Sequence, residues 1–101
     1  MKDLFLFFQA LQSHRLLDTY HTELCLTPHA SGEQPGVRYG YGFHIIDDGK
    51  HGRLIGHGGR ALGGDTFAVV YDLGYTVIVL SNYDRPAARN VLNHIADMLI
   101  T

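Results

Sequence analysis

An α+β fold is expected from this chain: two N-terminal helices, a four-stranded antiparallel meander and a C-terminal helix laid on one sheet face. Three observations lead there. Residues 39–82 break into β-rich runs divided by tight-turn signals. Apolar residues recur at helical spacing near both ends. The composition, 46% hydrophobic and 18% charged over 101 residues, is that of one small globular domain.

In chain order, residues 3–13 predict a very apolar helix. Leu4, Phe7, Phe8 and Leu11 share a face that Phe5 and Leu6 widen, so burial against something sizeable is expected. Asp18 or Thr19 caps a second short helix running to Leu26. Residues 27–38 contain Pro28, Gly32, Pro35 and Gly36 and read as a loop. Tyr39 to Ile46 alternates large and small residues, as a strand covered on one face does. Asp47-Asp48-Gly49-Lys50 predicts a hairpin with Asp-Gly at its centre, and Arg53 to His57 pairs back. Asp65 to Tyr71 is a third strand. Tyr75 to Asn82, β-branched and apolar on both faces, predicts a central fourth one. Asp84 can cap the last helix and Pro86 suits its first turn. Ala88, Val91, Leu92, Ile95, Ala96 and Leu99 mark its buried stripe.

The net charge of −2 argues against a nucleic-acid partner, since phosphate binding needs a basic face. Cys25 stands alone, so neither a disulfide within the chain nor a cysteine zinc cage is expected. It reads as an inert core residue. No stretch is long enough to span a bilayer. Met1 to Phe8 is too short an apolar run for a signal peptide, and Asp3 interrupts it. A soluble chain is expected, one that could be a piece of a longer exported protein; its compartment stays unknown.

The densest chemistry lies in residues 55–64, where an ionisable His57 sits among five glycines. Gly56-His57-Gly58-Gly59-Arg60-Ala61 formally matches a dinucleotide fingerprint, but a strand rather than a helix follows it. The P-loop ending is absent. Seven histidines invite a metal, yet zinc needs three or four converging ligands. With a two-residue Asp48-Gly49 turn, His44 would face Arg53 and His51 would face Ile46, so these histidines and His57 would not converge. No metal and no cofactor are expected. Ser13, Ser31 and Ser81 lack both a Gly-x-Ser-x-Gly setting and a lysine three residues on, so the chain shows no complete catalytic constellation.

Five signals nevertheless fall in a telling order: Tyr39-Gly40-Tyr41-Gly42-Phe43, Gly56-His57-Gly58-Gly59, Gly63-Gly64-Asp65-Thr66-Phe67, Val77-Ile78-Val79-Leu80-Ser81-Asn82, and a final helix. Ahead of them come Asp3 to Leu11, Leu16-Leu17 and Leu26-Thr27-Pro28. This series resembles the C-terminal part of class C β-lactamases and the related penicillin-binding DD-peptidases and esterases, over nearly the whole chain. The resemblance implies a partial β-lactamase/transpeptidase-like fold and a parent that acylates a serine with an amide, ester or β-lactam. The Ser-x-x-Lys and Tyr-x-Asn elements of that family have no match here, so the chain alone is expected to be inactive.

By the same resemblance, His57 occupies the Lys/His position of the third motif, beside the nucleophile. There it helps to bind the substrate carboxylate or tunes the site's proton balance. Gly58 and Gly59 let substrate lie against the strand edge, and the Arg60 N–H is an oxyanion-hole donor. Histidine in place of lysine favours peptidase-like or esterase-like relatives over β-lactam hydrolysis. Arg60 and Ala61 stand where the family carries small and Pro-Gly residues. The implied partners are the missing N-terminal part or a second copy of the chain, with a small-molecule or peptide substrate for the parent. An alternative from another class is a non-enzymatic binding or dimerisation domain.

Overall fold

In a computed structural model, which describes residues 1–32, 34–47 and 49–100, the chain folds into three helices and six strands. The helices are α1 (Lys2–Gln12), α2 (Thr19–Cys25) and α3 (Ala87–Leu99). The strands are β1 (Ala30–Ser31), β2 (Val37–Tyr39), β3 (His44–Asp47), β4 (Arg53–Ala61), β5 (Gly64–Tyr71) and β6 (Thr76–Ser81). They form one antiparallel sheet in chain order. The α+β class and the meander agree with expectation, whereas the strand number is six and not four.

The extra strands come from two misread segments. Residues 27–38, expected to be loop, hold β1 and most of β2. The expected single strand from Tyr39 to Ile46 is folded in two, with Tyr39 opposite His44. Gly42 makes the bend at φ 86°, a conformation that glycine reaches without steric cost. Gly40 is buried where an added Cβ would strike the Cys25 carbonyl oxygen. Alternating glycine and aromatic residues imitate a half-buried strand, and the turn hides in that pattern.

The β3–β4 register also differs from expectation. Ile46 faces Leu54 and Asp47 faces Arg53, so the connection spans residues 48–52 rather than two. Asp48 of the expected turn lies outside the described residues; Gly49 N–H donates to the Asp47 side chain at 3.0 Å. In contrast, β4 and β5 pair without interruption from Leu54–Tyr71 to Ala61–Gly64. The Gly-rich segment is therefore a regular hairpin, unbulged, with Leu62-Gly63 at its tip.

Helix α3 covers one sheet face. Ala88, Leu92 and Ala96 pack on Leu54, Phe67, Val69, Tyr71 and Val77. Burying each large member contributes roughly 1.5–3 kcal/mol. Val91 and Leu99, expected on this stripe, are exposed. Asp84 does not cap the helix with its side chain. Its carboxylate accepts from Gly63 N–H at 2.7 Å, while buried Asp65, on β5, accepts from Ala88 N–H at 2.9 Å. Asp65 thus satisfies a free donor of the first turn from across the sheet.

The second helix follows the expectation, with the Asp18 side chain accepting from His21 N–H. Helix α1 does so only in part. Phe8 and Leu11 are buried, but Leu4, Phe5, Leu6 and Phe7 remain 38–46% exposed. Cys25 is half-buried. Strand β6 is not central. It lies at the sheet edge with β5 as its neighbour, and Leu80 stays exposed. No helix among the described residues is long and apolar enough to cross a membrane.

Candidate functional site

The Arg53 carbonyl accepts from Asp72 N–H at 3.0 Å, which fixes the phase of β4. In an antiparallel ladder a residue's N–H and C=O leave on the same side, and the side alternates along the strand. Ile55, His57, Gly59 and Ala61 therefore bond to β5, and Leu54, Gly56, Gly58 and Arg60 turn toward β3. The β3 pairing stops at His44–Gly56. Gly58 and Arg60 thus direct backbone donors and acceptors at an edge along which no further strand pairs among the described residues. The open edge belongs to the second half of β4 alone.

The glycines have a second, packing reason. Gly56 lies against Val69, whose Cα and Cγ1 would sit 2.7 Å from an added Cβ. At Gly58 a Cβ would come within 3.0 Å of the Phe67 ring. Both face the α3 side, where bulk from β5 fills the space their side chains would need.

His57 is exposed but held at both ring nitrogens. Nδ1 lies 2.5 Å from the Gly58 carbonyl oxygen, and Nε2 lies 3.1 Å from the Tyr39 hydroxyl. A carbonyl can only accept, so in the neutral ring Nδ1 carries the proton and Nε2 accepts from Tyr39 O–H. The His44 ring stacks on that of His57, with centroids 4.6 Å apart and planes 13° from parallel. Tyr39 meets both rings edge-on. The expectation that His44 and His57 stay apart is corrected here: the longer connection shifts the register so that His44 faces Gly56, next to His57.

His51 lies elsewhere. It is buried, with Nε2 at 2.8 Å from Asp97 on α3, and Lys50 reaches the same carboxylate at 2.7 Å. These partners hold the Asp97 carboxyl below the usual carboxylate range. Among the described residues no group of three or more His, Cys, Asp or Glu side chains could hold a metal ion.

Partial burial pushes the His44 proton affinity below the usual histidine value, and the nearby charges of His57 and Arg89 add to it. The sign of the linkage follows. In the unfolded chain His44 takes up a proton as pH falls through about 6.5, while in the folded chain it does so only at lower pH. The unfolded state binds more protons in that window, so stability falls as pH drops below about 6.5 and levels off once the folded ring protonates. Urea titrations over this range should show that slope, and His44→Gln should reduce it.

Beside the open edge lies a cavity of about 830 Å³. Gly58, Gly59 and Arg60 line it from β4, Tyr39 and His44 from β2 and β3, Arg85 from the turn before α3 and Arg89 from the first turn of α3. The Arg89 guanidinium sits over the Phe67 ring at 4.7 Å. The four residues singled out from sequence thus lie together on one strand, three of them on the cavity wall. Tyr39, His44, Arg85 and Arg89 were not foreseen. Only the correct β3–β4 register would have brought the first two to His57, and the arginines carry no motif.

No protein-family model matches the chain, and no curated protein does. Among solved structures, the chain is similar to a penicillin binding protein from Bacillus halodurans, with a TM-score of 0.84 and 27% identity. The match covers 97% of this chain and 30% of that one. The fold is therefore penicillin-binding-protein/β-lactamase-like, and the chain spans about a third of the length of that protein. The likeness does not single out the class C type.

Proposed function

We propose that this chain is the C-terminal portion of a β-lactamase-like serine hydrolase. The intact parent would form an acyl-enzyme from an amide, ester or β-lactam and hydrolyse it. The observation that carries this reading is the open half of β4, with Arg60 N–H turned outward beside His57. When a serine oxygen attacks a carbonyl, the C=O electron pair moves onto oxygen. A fixed N–H directed at that oxygen stabilises the charge without reorganising. The pair then returns to re-form C=O as the leaving group departs with the proton that the serine gave up, and water hydrolyses the acyl ester, restoring the serine hydroxyl. Gly58 presents a backbone for the substrate to lie along, and His57 orders the polar side of the site through Tyr39. The nucleophile belongs to a segment outside these residues.

On this reading the 101-residue chain is inert alone. A chromogenic β-lactam and a p-nitrophenyl ester should turn over at background rate, with His57→Ala no different. Turnover that His57→Ala abolishes would contradict the proposal.

The exposed Leu4, Phe5, Leu6 and Phe7 on α1 favour a second reading, a binding or dimerisation domain whose apolar helix seats a partner. The same surface would be covered by the rest of the parent, or by a second copy, in the first reading. A well-behaved monomer in sedimentation would set aside self-association.

A further inference from the structure

We propose that the cavity beside β4 binds a ligand carrying two negative charges, through Arg60, Arg85 and Arg89. This deepens the hydrolase reading by naming a substrate class, but the binding itself needs no catalysis. Three arginines line one cavity, and none has an ion-pair partner among the described residues. The single carboxylate among the described lining residues, Asp65, is buried and occupied by Ala88 N–H. Among the described lining residues, three positive charges against one negative leave an excess of two, which a dianion neutralises and a monoanion does not.

Position also matters. Arg60 belongs to the open strand, opposite Asp65 in the β4–β5 pairing, while Arg85 lies in the turn just before α3 and Arg89 in its first turn. An anion between them would be gripped from two elements. Arginine suits this role because its planar fork donates in pairs to carboxylate or phosphate oxygens. Arg89 is already oriented by the Phe67 ring, so less freedom is lost on binding. Its charge also reaches His44 and disfavours a proton there, as expected of a cationic cavity with few counter-charges. The volume, about 830 Å³, falls within the range of small-molecule sites.

The test is calorimetric titration of the full 101-residue chain at low salt with three probes: phenyl phosphate, glutarate and benzoate. Phenyl phosphate places two charges on one group, glutarate spaces them, and benzoate carries one. At least one dianion should bind ten-fold or more tightly than benzoate. Arg60→Gln and Arg85→Gln should each weaken that binding at least five-fold. Arg15→Gln, outside the cavity, should not, and circular dichroism should show every variant folded. Preference for phenyl phosphate assigns a phosphate-type group, and preference for glutarate assigns two spaced carboxylates. Equal affinity for benzoate and the dianions overturns the proposal, as does dianion binding that ignores Arg60 and Arg85. Since the probes are not turned over, such a failure leaves the hydrolase reading standing. Conversely, a failure of that reading in the turnover assay leaves this one standing.

Discussion

Gly56→Val unfolds the chain or lowers its stability by about 1–3 kcal/mol or more, as expected of overpacking in a rigid core. Gly56 is buried at the centre of the sheet, paired with β3 on one side and β5 on the other. An added Cβ would strike the Ala68 carbonyl oxygen and lie 2.7 Å from both the Cα and Cγ1 of Val69. Two of these atoms are backbone, and Val69 is fully buried, so nothing can swing away. A domain of this size is held by only about 5–15 kcal/mol, and the change removes much of that. Chemical denaturation followed by circular dichroism measures it. By contrast, an added Cβ at Gly59 meets one atom, the Thr66 hydroxyl oxygen at 3.3 Å. Gly59→Ala should therefore cost far less than Gly56→Val in the same assay.

Arg60→Pro should slow acyl transfer sharply while leaving the fold intact, because proline removes the backbone N–H; Arg60→Ala controls for the side chain lost with it. That N–H points away from β5, so no ladder bond is lost, and edge strands tolerate proline in this orientation. The preceding residue is already extended, as proline prefers. A chimera in which this chain replaces the matching 30% of the penicillin binding protein from Bacillus halodurans provides the assay. Labelling with a fluorescent penicillin should slow by about 100–1000-fold in Arg60→Pro, the usual effect of losing one oxyanion donor. Arg60→Ala keeps the N–H and should lose much less. Equal losses in the two variants would place the effect in the side chain and contradict the assigned role.

The meander, the three helices and the Asp18 cap were legible because each rests on local pattern: periodicity, turn residues and a capping side chain. What was misread depends on contacts distant in sequence. Gly40 and Gly42 look like the small positions of a strand, and only the Cys25 carbonyl and the bend reveal a turn. The Asp48-Gly49 pair suggests a two-residue hairpin, yet the chain takes five residues and shifts the register by three. That shift alone joins His44 to His57. Asp84 looks like the α3 cap, but Asp65 reaches the helix from β5, a pairing that sequence distance hides. Strand β6 is apolar on both faces yet lies at an edge. His57 and its glycines were legible as a cluster. The open edge that gives them meaning depends on where β3 stops.

Residue-resolved amide exchange by NMR tests most directly whether β4 offers a free strand edge at Arg60. The amides of Gly58 and Arg60 should exchange at least ten-fold faster than that of Gly59, whose N–H bonds to β5. Strong protection at Arg60, equal to that at Gly59, would mean that the edge is closed. An acyl group could not then reach the donor, and the hydrolase reading would lose the observation it stands on.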